Sequence, residues 1–244
     1  MSFVRIDDVI KIYKTKTTEV VALRGVTLSV PEGGLAVITG PSGSGKTSLL
    51  NIVAGLEPPS AGTVLVKGLR VHDLGDKELA DYRRNVIGYI FQSFNLVSFL
   101  TVRQNVVLPM YLNGSTGAVC RRKSDELLVS VGLASKADRF PRSLSGGEQQ
   151  RAAIATALCN DPPVILADEP TAELDTEAGA AVLGLLSDLS KSQGRTVLLV
   201  SHDERANRIG GRHYRMLDGT LLSDSNLASL GRLAESTSDH VGHE

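Results

Sequence analysis

Gly40-Pro41-Ser42-Gly43-Ser44-Gly45-Lys46-Thr47 narrows what this chain can fold into more than any other stretch. The run fits GxxxxGK[ST], a pattern with meaning only where it follows a strand and opens a helix. Both flanks qualify. Leu35–Thr39 is short, apolar and rich in β-branched side chains, as a buried strand is. Lys46–Ala54 has helical periodicity and stops at Gly55, a residue suited to a helix C-terminus. The glycines let the backbone curl until successive N–H groups point inward at phosphate oxygens, and the helix dipole adds positive potential. Lys46 is then placed for β- and γ-phosphates, Thr47 for Mg²⁺ and Ser48 for the α-phosphate. The bland alternative, a Gly/Ser-rich surface turn, does not explain a strand on one side and a helix on the other. The chain is therefore expected to bind a nucleoside triphosphate.

A second run, Leu144-Ser145-Gly146-Gly147-Glu148-Gln149-Gln150-Arg151, also opens a helix, with Ser145 and Glu148 spaced as a capping box. Its N-terminus is a second anion site, although Gly40–Ser48 already serves one nucleotide. Ser145, Gly146, Gly147 and Glu148 are thus expected to contact the phosphate of a partner subunit, in a head-to-tail dimer with two ATP molecules at its interface. Other strand ends add chemistry. Val164–Ala167 delivers Asp168 and Glu169 to the carboxyl edge of a sheet, where α/β proteins hold ligands; Asp168 suits Mg²⁺ and Glu169 suits polarising a water. Val197–Val200 delivers Ser201-His202-Asp203 to the equivalent place, so His202 reads as a γ-phosphate sensor that orients Glu169. Gln92 follows the strand Val86–Phe91 and can reach metal and water. Tyr13, at the end of the first strand, either stacks on adenine or packs in the β-lobe.

The 244 residues suffice for one substantial domain or two intimate lobes, with 42% hydrophobic residues and a net charge of −1. That balance argues against a basic nucleic-acid surface. No apolar run approaches the roughly 20 residues of a spanning helix, and acids near Met1 speak against a secretory signal. Cys120 and Cys159 lack metal or redox spacing and read as small buried hydrophobes. A cytosolic protein without direct membrane insertion is expected. Along the chain, Phe3–Tyr13, Val20–Val30 and Val64–Val71 read as antiparallel strands, Asp76–Asn85 as a short helix, and Gln92 to Asn160 as mostly helical. In that stretch, Thr101 and Gln104 make another capping box and Ser124–Leu133 a further helix. A helix over Asp175–Ser192 separates the last two core strands. From Ser223 the chain is polar and reads as a loose helix with a frayed end. The fold class is α/β, a P-loop NTPase (RecA-like) core with a parallel sheet, an antiparallel β-subdomain and an inserted α-helical subdomain.

Taken together, these motifs resemble the nucleotide-binding subunit of an ATP-binding-cassette (ABC) transporter over residues 3–222. Walker A is Gly40–Thr47, the Q-loop glutamine is Gln92, the signature is Leu144–Glu148, and Walker B is Val164–Asp168. The resemblance makes Glu169 the general base, His202 the switch histidine, Ala172-Glu173-Leu174-Asp175 the D-loop and Tyr13 the adenine-stacking aromatic. It implies a catalytic core with β-subdomain over 1–92 and 160–222, a helical signature subdomain over 93–159, a tail over 223–244, and ATP with Mg²⁺. Phe91–Leu96, Leu144–Arg151 and Glu19–Val26 are similar to the lipoprotein-releasing and macrolide-exporter (LolD/MacB-type) branch, whose partners include FtsX-like permeases. Ala172-Glu173 departs from the Gly-Asn usual in that branch, and Gly210-Gly211 stand where an acid is usual; neither touches a catalytic group. The resemblance implies a homodimer or paired cassette, bound to a transmembrane permease at the cytoplasmic face of the membrane. A soluble cassette ATPase of DNA repair, chromosome organisation or translation is the rival, but such proteins carry coiled-coil, zinc-cysteine or tandem-cassette insertions missing from this sequence. A P-loop kinase or GTPase conflicts with the LSGGE run. Phe94–Leu100, with five apolar residues in seven, is the expected docking surface for a short permease helix.

Overall fold

Two thirteen-residue strands, β1 (Ser2–Lys14) and β2 (Glu19–Pro31), pair antiparallel across the turn at residues 15–18. The structure, a computed structural model, describes residues 2–223. β3 (Leu35–Thr39) and α1 (Lys46–Val53) follow, and β4 (Ala61–Val66) then pairs with the free edge of β1. β5 (Leu69–Arg70) completes a four-stranded sheet in the order β2-β1-β4-β5. The strand expected over Val64–Val71 is thus two strands. Lys67 and Gly68 both adopt left-handed backbone (φ 53 and 78), which folds the chain back on itself, and Val71 begins a 3-10 turn.

α2 (Asp76–Asn85) and β6 (Ile87–Ile90) lead into three helices: α3 (Val102–Leu112), α4 (Gly117–Ser130) and α5 (Gly146–Leu158). Thr101 caps α3 through the expected box with Gln104. α4 begins seven residues before Ser124, the expected start. Its buried residues are Cys120, Ser124 and Leu128, a narrow stripe at four-residue spacing, while Arg121-Arg122-Lys123 break up its apolar signal. β7 (Val164–Asp168), α6 (Thr176–Lys191) and β8 (Thr196–Ser201) then alternate as expected. Two further strands, β9 (Arg212–Leu217) and β10 (Thr220–Ser223), were not anticipated. They extend a six-stranded sheet of order β10-β9-β3-β8-β7-β6, parallel throughout except for the β9–β10 pair. β10 also includes Ser223, where the polar tail was expected to begin; the rest of that tail lies outside the described residues.

The central strands read as continuous apolar runs because both faces of their sheet are covered. Leu35 and Val37, Ile165 and Ala167, and Val197 and Leu199 enter one core with α3, α4, α5 and α6. Their neighbours Ala36 and Ile38, Val164 and Leu166, and Leu198 and Val200 enter a second core with α1 and the antiparallel sheet. A period of two thus divides each strand between two hydrophobic layers. Register keeps the strand ends flush: Thr39 lies opposite Ser201, Val200 opposite Asp168, and Ala167 opposite Ile90. Whatever follows these residues is gathered at one edge. Among the described residues no helix is long and apolar enough to cross a membrane.

Candidate active site

The loop between β3 and α1 is moulded by close backbone approach. A Cβ on Gly40 would lie 2.2 Å from the Met216 carbonyl oxygen in β9, and one on Gly45 would lie 2.4 Å from the Ala22 oxygen in β2. Gly45 also takes φ 104 as it caps α1, a conformation that disfavours any side chain. Lys46, at the first turn of α1, is buried, and its Nζ donates to the carbonyls of Gly40 and Pro41, each at 2.9 Å. Its Nζ also lies 3.3 Å from Glu169 Oε1.

Glu169 is the hub. It follows β7, is 8% exposed, and holds φ 47, left-handed backbone that a non-glycine residue adopts only under constraint. Its N–H donates to the Val200 carbonyl at 3.0 Å, which pins the residue across β8. Its Oε2 accepts from the His202 backbone N–H at 2.9 Å and lies 2.7 Å from His202 Nδ1. With the Nδ1–H tautomer donating there, Nε2 is left for a second partner. Lys46, Glu169 and His202, expected from three separate strand ends, thus form one contiguous chain.

Asp168 sits one residue back and faces the other way. Its Oδ1 accepts from the Thr47 hydroxyl at 3.1 Å, and Oδ2 lies 3.5 Å from the Tyr89 hydroxyl. Burial pushes the Asp168 carboxyl above the usual carboxylate range, and the neighbouring Glu169 charge adds to that; the Thr47 hydroxyl opposes it. Tyr89 was not foreseen: its hydroxyl also donates to Asn51 at 3.1 Å, and its ring stacks on Phe91 at 4.3 Å. A tyrosine inside a short apolar strand gives no polar signal until the strand's neighbours are known.

A cavity of about 590 Å³ opens over this chain, within the range of small-molecule sites. Ser42, Gly43, Gly45, Lys46, Thr47, Ser48, Gln92 and Glu169 line it. Gln92 is exposed at its mouth. Val20, Val21, Ala22 and Arg24 from β2 and Asp218, Gly219 and Thr220 from the β9–β10 turn complete the wall, and sequence reasoning had not assigned them. Tyr13 stands just outside. It pairs with Val20 in the β1–β2 register, its hydroxyl donates to Glu57 at 2.8 Å and lies 3.1 Å from the Ser48 hydroxyl, and Lys11 Nζ lies 4.9 Å from its ring centre.

The signature residues do not line this cavity. Ser145 Oγ accepts from the Glu148 N–H at 3.3 Å, and Glu148 Oε2 accepts from the Ser145 N–H at 3.0 Å, which is the expected box. Glu148 Oε1 is taken by Lys136, whose hydrogen bond holds the Glu148 carboxyl below its usual range. One carboxylate oxygen of Glu148, expected among the phosphate contacts, thus serves the helix start and the other Lys136, while Ser145, Gly146 and Gly147 present the helix N-terminus. A Cβ on Gly147 would lie 2.7 Å from Ala178 Cβ, so the signature turn of α5 rests directly on the first turn of α6.

Residues 23–172 match the family model described as ABC transporter. MJ0796, an ABC transporter ATP-binding protein of Methanocaldococcus jannaschii, is 41% identical over 92% of this chain and 97% of its own length. Its dimeric structure, described as a post-hydrolysis state bound to ADP and Pi, superimposes with a TM-score of 0.83 over 89% of this chain and 96% of that one, at 41% identity. The macrolide export ATP-binding/permease protein MacB of Marinobacter nauticus is 39% identical over 91% of this chain, which spans 34% of that protein.

Proposed function

The chain belongs to the ABC transporter family of ATP-binding proteins, and from that premise we propose that it is the ATP-hydrolysing subunit of a LolD/MacB-type transporter. The observation that carries the hydrolytic reading is the chain Lys46–Glu169–His202 under a glycine loop, buried at Lys46 and Glu169 and exposed at His202. ATP enters the cavity with its phosphates against the backbone N–H groups of Ser42–Thr47, and Lys46 trades the carbonyls of Gly40 and Pro41 for phosphate oxygens. Tyr13 and Val20 flank the base. Thr47 and Asp168 already juxtapose a hydroxyl and a carboxylate, hard oxygen donors that suit Mg²⁺, with Gln92 in reach from the mouth. Bound there, Mg²⁺ would neutralise charge on the phosphates. Glu169 takes a proton from the attacking water as its oxygen bonds to the γ-phosphorus and the bond to the bridging oxygen breaks, releasing ADP and phosphate. His202 fixes the orientation of that carboxylate and leaves its outer ring edge to face the γ-phosphate.

The signature completes a site it does not line in its own subunit, which supports a two-fold sandwich in which Ser145, Gly146 and Gly147 serve the partner's nucleotide. The dimeric state of the MJ0796 structure agrees. A permease is the proposed membrane partner, which would hold the subunit at the cytoplasmic face of the membrane; the MacB similarity supports this. So does a groove of about 270 Å³ between β6, α3 and α5, lined by Phe94, Leu96, Pro109 and Leu112 with Arg83 at one end. The named relatives are transporter proteins, and nothing favours repair or translation. Light scattering tests the assembly: ATP with the Glu169→Gln variant should double the mass, and a strict monomer at high concentration would refute the sandwich.

A further inference from the structure

We propose that Arg205 is a positioning residue for hydrolysis, a clamp that ties the loop carrying His202 to the first turn of α6. This rests on Glu169 and His202 being the hydrolytic pair. Asp203 follows His202 directly, and every hydrogen-bonding edge of its carboxylate is engaged. Oδ1 accepts from the Arg205 N–H at 2.9 Å and from Arg205 Nε at 3.0 Å. Oδ2 lies 2.8 Å from Nε and 2.7 Å from Nη2, and also accepts from the Thr171 hydroxyl at 3.1 Å. The remaining arm of the guanidinium, Nη1, donates to the Thr176 carbonyl at 2.8 Å, at the start of α6. The guanidinium holds the Asp203 carboxyl below its usual range, as such a fork should.

Gly179 shows that α6 makes room for this arm. Glycine weakens a helix relative to alanine. A Cβ at Gly179, however, would stand 2.8 Å from Nη2, 2.9 Å from Nη1 and 3.0 Å from Cζ of Arg205. The guanidinium lies flat on the helix where a methyl group would otherwise be. The same turn carries Ala178, against which Gly147 of the signature packs. Arg205 therefore joins the His202 loop to the helix that seats the signature, and Asp203, which it holds, carries the link to Thr171 beside the D-loop. The need for a clamp is local. The His202 side chain is 58% exposed, and its contacts with Glu169 come from its own backbone and ring. A 3-10 turn, Glu204–Arg208, follows at once and buries Ala206 in the core, and Gly210-Gly211 then lead to β9; the Asp203–Arg205 fork sits at the start of that turn. Without Arg205, the backbone at residues 202–203 loses its tie to α6 and the imidazole loses its fixed aim.

The test compares ATP turnover and ATP affinity of the parent, Arg205→Ala, Arg205→Lys, Gly179→Ala, His202→Ala and the Arg205→Ala/His202→Ala double variant. A misaimed group costs about 10- to 100-fold in rate, so kcat of Arg205→Ala should fall by that factor with KM changed by no more than about twofold. Lysine cannot bridge Asp203 and Thr176 together, so Arg205→Lys should recover only part of the loss. Gly179→Ala should lower kcat in the same direction by displacing the guanidinium, while a better helix former keeps the protein folded. It serves if Arg205→Ala does not fold. On a His202→Ala background, Arg205→Ala should add less than about twofold, because both act through one group. Parent-like turnover in both Arg205→Ala and Gly179→Ala, with His202→Ala impaired, overturns the clamp alone. So does a full further loss in the double variant. Parent-like turnover in His202→Ala instead overturns the reading of the hydrolytic pair.

Discussion

Glu169→Gln removes one charge at the centre of the site and almost no volume. The carboxylate uses Oε1 toward Lys46 at 3.3 Å and Oε2 toward the backbone N–H and Nδ1 of His202 at 2.9 and 2.7 Å. A glutamine must place its NH₂ at one of these two positions. Toward Lys46 it sets donor against donor; toward His202 it does the same with the backbone N–H and also forces the other imidazole tautomer. Neither arrangement leaves a group able to take the proton of the attacking water. A positioned base contributes about 10²–10⁴-fold, or about 2.7–5.4 kcal/mol of transition-state stabilisation, and that is the expected loss in turnover. Nucleotide binding should survive. Lys46 keeps the carbonyls of Gly40 and Pro41 at 2.9 Å, so its buried charge is not orphaned when the carboxylate goes. Phosphate release measured beside equilibrium ATP binding on the full chain separates the two effects. Hydrolysis at the parent rate would show that Glu169 is not the base; lost ATP binding would show that its charge is needed to build the cradle.

Lys46→Ala should do the reverse, weakening ATP binding by about 10- to 100-fold through loss of a charge-assisted bond, as titration calorimetry would report; unchanged affinity would remove Lys46 from the cradle. Ser145→Ala should destabilise α5 by about 0.5–2 kcal/mol, seen as a lower melting temperature, and an unaltered melt would mean the cap is slack. Asp161 is held below the usual 3.8 chiefly by its hydrogen bond to Arg195. That stabilisation is complete above pH 3.8 and is lost as pH falls through the depressed folded value. Arg195→Ala should therefore lower the melting temperature more near neutral pH than in strong acid; an equal drop at both would assign its effect to the Pro162 carbonyl instead. Phe99 is 78% exposed, so Phe99→Asp should fold and bind ATP normally yet lose co-purification with the permease, and intact permease binding would remove Phe99 from the docking surface.

Strands and helices that bury a face could be read from their own residues; the sheet edge could not. β3, β7 and β8 are apolar along their length because two cores claim alternate residues. β9 is Arg212-His213-Tyr214-Arg215-Met216-Leu217, a run in which only Met216 is fully buried, and no alternation announces a strand. It is one because its backbone pairs with β3, and that pairing is a property of the sheet. α4 was mistimed for a related reason: a stripe of Cys120, Ser124 and Leu128 contains one polar and one ambiguous residue, and only the packed lobe shows it as a face.

The site was legible wherever a motif sits at the end of a strand. Gly40, Asp168, Glu169, His202 and Gln92 follow runs that had to be parallel neighbours, so their convergence follows from the register of β3, β8, β7 and β6. What could not be read is what holds them in aim. Tyr89 supports Asp168 from inside β6, and Met216 and Ala22 press on the glycines from strands distant in sequence. Glu169 is the clearest case. Its left-handed φ is imposed by a bond to the Val200 carbonyl, by His202 on one oxygen and by Lys46 on the other, three elements that meet only after folding. Each of them fixes a different atom of the residue, so loss of any one is expected to loosen the aim of the carboxylate into the cavity. The strain is thus a reason for the supports to act as a set, and for substitutions at Lys46 and His202 to be non-additive with those at Glu169.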